Sequence, residues 1–439
     1  MRWMSRFALL VGTAGIAHFV IAAPPRPAAK PAARVEQKVT GPVANYWMSV
    51  STSTGTGFGA MGAGGAGGGK RPSMGDVMRM MRGGGSEVQH NLVLQLGSNQ
   101  SAAGEPKADH TPGSYPVLPL ITPRETVAPV PEETVEEQPT MPERPRGRML
   151  IYWGCGEHAG PGQPLVIDFS KIGPGQPLPR FPYIAVHHQN PPSAGRYKTY
   201  GEWPNARTRE QVPPVLAGAH SVHGNYSPDI KFTLPANRDY MPPLMIDAST
   251  KTAAGATMLA WQPVAGATGY FAAMFGASPG KDGDATIVMW SSSGQQTFAG
   301  GGLLDYLAPA EVRRLIADKA VMPPDQTRCA IPAEVTSSAP MGMLSMIAYG
   351  EEANFADPPR PSDPHVPWNI SWTTKVRYKS TAGLMLGMPA GRGMGAMSNN
   401  EQPGDADAAP AQADQPKKKR GGLLGKIKDA AEAAGAIPH

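Results

Sequence analysis

Cysteine is scarce in this 439-residue chain, which contains only Cys155 and Cys329. The two are not in a C-x-x-C pair, which argues against a redox dithiol. Charged residues are also few, at 17%, and the formal net charge is only +5. A charge this small does not by itself indicate a nucleic-acid partner. After the first 23 residues there is no apolar run of the ~20 residues that a transmembrane helix requires.

Glycine and proline are abundant by contrast. The 52 glycines and 48 prolines make up close to a quarter of the chain, about twice the average usage. They are concentrated before residue 150 and after residue 380, where few side chains are available to form a core. We therefore predict a low-complexity region over 23–147, with isolated strands near 46–51 and 88–96, and a flexible linker over 381–416. Strands on either side of the Pro/Glu-rich stretch 101–148 could still pair across it.

The N-terminus has the features of a signal peptide. Arg2 and Arg6 precede an apolar run from Phe7 to Ile21, and small residues follow at Ala22 and Ala23. This pattern predicts a signal peptide over residues 1–22 and export to the periplasm, the outer envelope or the extracellular space. No cysteine follows the apolar run, which argues against a lipoprotein anchor. In an oxidising compartment we expect a disulfide between Cys155 and Cys329, worth about 4–5 kcal/mol in the chain-entropy model.

Residues 148–380 carry the strand patterns of a mainly β core. Apolar residues alternate with polar ones over 165–169, 230–234 and 372–378, and further strands are predicted at 149–153, 256–261, 270–275, 285–290 and 343–349. One segment has helical spacing, from Pro309 to Lys319, and proline suits its first turn. The pattern predicts a β-rich core with one inserted helix.

One short stretch of this core resembles a known family. Leu259-Ala-Trp261-Gln-Pro263, followed by Gly266-Ala267 and Tyr270, resembles the B–C strand pattern of fibronectin type III and related immunoglobulin-like modules. The resemblance covers about 20 residues and implies a β-sandwich in which the tryptophan and tyrosine pack between two sheets. The helix at 309–319 is not part of that pattern. Such folds carry many functions, so the resemblance implies no functional residue.

Four histidines are the candidate metal ligands: His187, His188, His220 and His223. A zinc site needs three or four converging ligands, and H-x-x-H can supply two of them from a loop. Adjacent histidines on a strand cannot both face one side, and H-x-x-H lacks the glutamate of a metallohydrolase motif. The alternatives are an exported metal-dependent hydrolase and a set of solvent-facing loop histidines.

Residues 417–439 predict a short basic amphipathic helix. Leu423, Leu424 and Ile427 lie on one helical face with three alanines, and no aromatic residue accompanies them. Reversible binding to an anionic surface is the most that this apolar area supports. The residues that would contact such a surface are Lys417, Lys418, Lys419, Arg420, Lys426 and Lys428.

The sequence favours binding over catalysis and predicts no cofactor. We expect an exported cell-envelope or secreted protein with an immunoglobulin/fibronectin-like β-sandwich core and a binding or structural role. Possible partners are a cell-envelope polymer, an anionic membrane surface or another protein, and no nucleic acid is expected. The alternatives are the metal-dependent hydrolase and a membrane-surface accessory protein attached through residues 417–439. Ligand and oligomeric state stay open.

Overall fold

A computed structural model describes residues 37–55, 88–123, 129–135, 147–172, 182–279, 284–297 and 302–387. The predicted signal peptide and the basic helix at 417–439 lie outside these residues. Neither described helix is long and apolar enough to cross a bilayer. The described elements are β1 (Val39–Thr40), β2 (Ala44–Gly55), β3 (Gln89–Ser98), β4 (Ala108–Pro112), β5 (Leu118–Leu120), β6 (Glu133–Val135), β7 (Gly147–Trp153), β8 (Leu165–Asp168), β9 (His187–Gln189), β10 (Thr199–Trp203), β11 (Gly218–Gly224), β12 (Ile230–Leu234), β13 (Ile246–Asp247), β14 (Thr257–Trp261), β15 (Gly269–Pro279), β16 (Ala285–Ser291), α1 (Pro309–Ala317), β17 (Arg328–Ile331), α2 (Ala333–Ser338), β18 (Gly342–Asp357), β19 (Trp368–Asn369) and β20 (Trp372–Leu386).

A nine-stranded mixed sheet forms the centre of the molecule, in the order β10-β3-β2-β20-β18-β15-β16-β7-β8. Two pairs within it are parallel, β2 with β20 and β16 with β7, and the others are antiparallel. Because parallel neighbours need a crossover connection, strands far apart in sequence lie side by side. Asn45 is thus paired with Thr373. The prediction of a mainly β protein is confirmed.

The predicted domain limits differ from this sheet. The strands near 46–51 and 88–96 are not isolated, because β2 and β3 pair with each other and β2 pairs with β20 along twelve residues. The β-rich unit therefore begins well before residue 148. At the other end, β20 continues to Leu386, so the first residues of the predicted 381–416 linker belong to a central strand. Composition reports only local sequence, whereas these strands are held by partners that are distant in the chain.

The central sheet packs on both faces. One face carries apolar side chains such as Tyr46, Met48 and Tyr270. It is covered by a four-stranded sheet in the order β12-β11-β4-β5 and a three-stranded sheet in the order β13-β14-β17. On the opposite face, α1 packs Val312 and Leu315 against Phe271 and its neighbours. The predicted helix is confirmed at 309–317, and α2 was not predicted.

Cys155 and Cys329 form a disulfide, as the sequence predicted. Cys155 follows β7 of the central sheet and Cys329 lies in β17 of the three-stranded sheet. The bond therefore ties two packed layers together. A backbone hydrogen bond of 3.0 Å from Gly156 to Ala330 lies beside it.

Candidate ligand-binding cleft

Three cationic side chains lie in a row on the face of the central sheet against which α1 packs. Lys375, Arg377 and Lys379 alternate along β20, and alternate residues of a strand share a face. Their neighbours on β2 are Trp47, Ser49 and Ser51. Arg377 is 7% exposed and Lys379 is 0% exposed. We call these three side chains the cationic row.

The two lysines of the cationic row have carboxylate partners. Lys375 Nζ lies 3.0 Å from Glu352 and also contacts the side-chain oxygen of Gln189. Lys379 Nζ lies 3.1 Å from Asp305. Burial alone would raise the pKa of the Asp305 carboxyl, but Lys379, Arg377 and the Tyr306 backbone N–H outweigh burial and hold that pKa below its ordinary value. Burial lowers the pKa of the Lys379 ammonium, and the Asp305 charge opposes that change.

Arg377 is held between two aromatic rings. Its guanidinium carbon lies 5.1 Å from the centre of the Trp47 ring and 4.3 Å from that of Tyr306. Its Nε donates to Ser49 Oγ over 2.8 Å. Among the described residues, no carboxylate forms an ion pair with Arg377. The ring contacts and the Ser49 bond therefore fix its position, and with it the position of Trp47.

An open cleft of about 750 Å³ begins where the cationic row ends, at Lys375. We call it the edge cleft. Its lining combines aromatic rings, side-chain amides and charged groups: Asn45, Trp47, Glu132, Glu133, Gln189, Lys231, Phe232, Asn354, Phe355, Ala356, Asp357, Pro359, Arg360, Trp368, Trp372, Thr373, Thr374 and Lys375. This volume lies in the range of small-ligand sites.

Several polar groups of the edge cleft are fixed before any ligand binds. The Asn45 amide donates to the Tyr197 hydroxyl over 2.7 Å. Arg360 donates to the Gln37 side chain over 2.9 Å and stacks 5.6 Å from the centre of the Trp368 ring. Because Lys375 is already paired with Glu352, one of the cations of the cleft is neutralised within the protein. The cleft therefore offers aromatic faces and neutral hydrogen-bonding groups in a pre-organised frame.

A smaller cavity of about 250 Å³ shares Glu133 and Gln189 with the edge cleft. His187 and His188 line it, together with Glu311 from α1. The Glu311 carboxylate accepts a hydrogen bond of 2.8 Å from the His187 backbone N–H. It also forms an ion pair with Arg314. Burial lowers the pKa of the His188 imidazole; among the weaker effects, Asp305 and Glu311 oppose this change and Arg377 adds to it. The Glu311 carboxylate of this cavity therefore already has two partners within the protein.

The four candidate metal ligands do not gather at one point. His187 and His188 are adjacent on β9, and His220 and His223 lie three apart on β11. Because strand residues at odd spacing face opposite sides, neither pair converges. His220 is 3% exposed, whereas the His223 side chain is 81% exposed and contacts Asp229. In the part of the chain that the structure describes, no group of three His, Cys, Asp or Glu is placed to hold a metal ion.

His220 instead belongs to a buried hydrogen-bonded chain. Its Nε2 lies 2.6 Å from the Leu216 carbonyl, which can only accept, so Nε2 carries the proton. Its Nδ1 then accepts from His110 Nε2 over 3.1 Å. His110 Nδ1 in turn accepts from the Tyr46 hydroxyl over 2.9 Å. We call this the histidine chain, and every donor in it is used only when both imidazoles are neutral.

The histidine chain predicts acid-sensitive stability. Burial lowers the pKa of both His110 and His220, so below the ordinary histidine pKa of about 6.5 the unfolded chain binds protons that the folded chain does not. The free energy of unfolding should therefore be constant above that pH and fall below it. The slope should reach up to about 1.4 kcal/mol per histidine for each pH unit. Urea unfolding at pH 7.5, 6.5 and 5.5 measures it.

A paired set of variants isolates the histidine chain. The double variant His110→Gln/His220→Gln should lose most of the pH dependence, since glutamine does not titrate. His223→Gln is the matched control, because that side chain lies on the same strand but is exposed. A wild-type protein equally stable at pH 7.5 and 5.5 would show that the buried pair does not resist protonation.

No protein-family model, curated protein or solved structure matches the chain. The chemistry of the edge cleft and its surroundings is therefore the basis of the proposed function.

Sequence reasoning missed the residues of this cleft. The sequence pattern places Trp47 on an isolated strand and places Lys375 and Arg377 among the polar residues of another strand, and it marks none of the three as part of a site. A usable signal was present, since Trp372–Leu386 is too long and too apolar on its other face to lie at the surface. A cation at every second position of a buried strand requires partners, and partners mark a site.

Proposed function

We propose that the protein is an exported binding protein of the cell envelope or the extracellular space, and that its ligand occupies the edge cleft. The cleft's combination of aromatic rings with fixed amide groups carries this proposal. Such surfaces bind through apolar contact and directed hydrogen bonds together. The lining contains as many carboxylates as cations, which favours a neutral polar ligand: Glu132, Glu133 and Asp357 against Lys231, Arg360 and Lys375.

The frame of the cleft supports a binding role. Asn45 and Trp47 lie on β2, and Thr373 and Lys375 lie on β20, so the floor is built from paired strands of the central sheet. Groups held on a sheet lose little freedom when a ligand binds, which increases affinity. The Thr373 hydroxyl also contacts the Asn45 side-chain oxygen, which fixes the orientation of that amide.

Export is supported by the disulfide between Cys155 and Cys329, since such bonds persist mainly in oxidising compartments. The fibronectin-like resemblance of 256–275 also stays part of the proposal. Trp261 and Tyr270 pack edge to face with ring centres 5.4 Å apart, and they lie on strands of two different sheets. This is the arrangement that the resemblance implies for the two residues.

Two variants test the binding role. Trp368→Ala removes an aromatic ring of the cleft and Asn354→Ala removes an amide. Each should weaken a cleft ligand at least tenfold, because aromatic anchors contribute most at such sites and a lost amide leaves a polar group of the bound ligand unpaired. Binding would be screened with a glycan array and a phage-displayed library of 12-residue peptides, then measured by titration calorimetry.

Tyr183→Ala is the matched control, since Tyr183 is 42% exposed and lies outside the cleft. All three variants should keep the thermal unfolding midpoint of the wild type within a few degrees. A ligand whose affinity is unchanged by both Trp368→Ala and Asn354→Ala binds elsewhere, and that outcome refutes the cleft as the binding site.

A further inference from the structure

Strand β18 has a free edge along its second half. Its first half pairs with β15 as far as Tyr349, and a bulge then shifts the register between Tyr349 and Glu352. From Glu352 to Asp357 the strand pairs in regular register with β20 alone. Within the described ranges, no strand occupies its other side. Among the described residues, the backbone N–H and C=O groups on the side of Glu352–Asp357 that faces away from β20 therefore have no strand partner.

This free edge opens into the edge cleft. Four consecutive residues of β18, Asn354 to Asp357, line the cleft. Consecutive side chains of a strand point to opposite faces, so a ligand above one face would meet only every second residue. Four in succession show that the cleft reaches both faces of this end of β18, the part of the strand that carries the free edge. The cleft therefore offers main-chain hydrogen-bonding groups of β18 in addition to the side chains that line it.

We propose that an extended polypeptide segment of a partner protein adds to Glu352–Asp357 as a further strand of the central sheet. This inference rests on the proposed binding role and names the class of ligand. A peptide backbone presents alternate donors and acceptors at the spacing of a strand edge, and a glycan does not. The cleft mouth carries both Arg360 and Asp357, so it favours a neutral segment over a polyanion.

The two walls of the cleft specify an alternating partner. The wall beside the four-stranded sheet is apolar, with Phe232 and Phe355 in ring contact at 5.1 Å. The wall on the cationic-row face is polar, with Asn354 and Lys375 paired across β18 and β20. An added strand would place alternate side chains against each wall. The bulge before Glu352 and Pro358 after Asp357 limit the contact to about six residues, or roughly 20 Å.

The decisive experiment is an N-methyl scan of a bound peptide. The full-length protein would be panned against the 12-residue peptide library, and the strongest binder resynthesised with one backbone N-methyl group at each position in turn. Strand addition predicts a loss on the order of tenfold at every second position over about six residues, with the intervening positions tolerant. A scan without this period of two overturns the proposal.

Proline variants of the edge give an independent readout. Successive residues of an antiparallel strand direct their N–H groups to opposite sides, so one of Ala353 and Asn354 faces β20 and the other faces the cleft. Of Ala353→Pro and Asn354→Pro, one should lower the unfolding midpoint. The other should leave that midpoint near the wild type and abolish peptide binding. If the variant that keeps the wild-type unfolding midpoint still binds the peptide, the edge is not the binding surface.

The two proposals fail in different ways. If a glycan binds in a manner sensitive to Trp368→Ala and no peptide binds, strand addition is wrong and the binding cleft stands. If neither a glycan nor a peptide binds with cleft dependence, both proposals are wrong.

Discussion

Replacing Asp305 with asparagine should lower the free energy of unfolding by about 3 kcal/mol, because it leaves a buried ammonium group without its counter-ion. Lys379 is 0% exposed, and its Nζ lies 3.1 Å from Asp305 and 4.2 Å from the centre of the Tyr306 ring. The Asp305 side chain is 28% exposed, which places the expected loss at the lower end of the range for buried pairs. Urea unfolding at pH 7 measures the loss.

Two further variants separate the charge from the packing. The double variant Asp305→Asn/Lys379→Met should recover most of the lost stability, because removing both charges is far cheaper than stranding one. Asp318→Asn is the matched control, since Asp318 forms an exposed pair with Arg314 at 2.8 Å. Such surface pairs contribute about 0–1 kcal/mol. If Asp305→Asn were no more harmful than Asp318→Asn, Lys379 would not depend on this carboxylate.

The cationic row links stability to the proposed binding site. Lys379 lies deepest, Arg377 is fixed between two rings, and Lys375 reaches the edge cleft. Like charges at alternate positions of one strand repel, so each needs its own compensation. That compensation comes from Asp305, from aromatic faces and from Glu352 in turn. A loss of Asp305 should therefore loosen the floor of the cleft as well as destabilise the protein.

Much of the strand content could be predicted from local periodicity. Strands such as β12, in which Ile230 and Phe232 alternate with polar residues, carry a clear two-residue period, and α1 carries a helical one. Strand β2 carries the same period in Tyr46, Met48 and Val50, but its polar side is buried as well, because Ser49 and Ser51 lie beside the cationic row. Its burial results from a parallel partner more than 300 residues away, which no local pattern reports.

The candidate site was harder to predict than the fold. The four histidines were grouped because they are close in sequence, yet their value as ligands depends on which way each strand residue faces. His220 in a strand faces the core and bonds His110, a residue 110 positions away. The edge cleft depends on where β15 stops pairing with β18, and the end of that pairing is set by the tertiary structure and not by local sequence. Local sequence shows where apolar and polar residues alternate along a strand. Which of those residues form a site depends on where the pairing between strands ends.

Removing the disulfide should lower the free energy of unfolding more than Asp305→Asn does. Cys155 and Cys329 are separated by 174 positions, so in the chain-entropy model the bond restricts the unfolded chain by about 5 kcal/mol. The variant Cys155→Ala/Cys329→Ala should accordingly unfold at a temperature roughly 10 °C lower than the wild type. Calorimetry of the oxidised wild type and of the double variant under the same conditions measures the difference.

The single variants show whether the cross-link or the packing of the cysteines is responsible. Cys329 is 2% exposed in β17, whereas Cys155, which follows β7, is exposed. If the cross-link is responsible, Cys155→Ala and Cys329→Ala should be destabilised equally, and a reducing agent should lower the wild type to the same level. If packing is responsible, only Cys329→Ala should be strongly affected, because it alone leaves a cavity in the core. Equal losses would show that the bond stabilises the protein by constraining the unfolded chain, and unequal losses would contradict the entropic account.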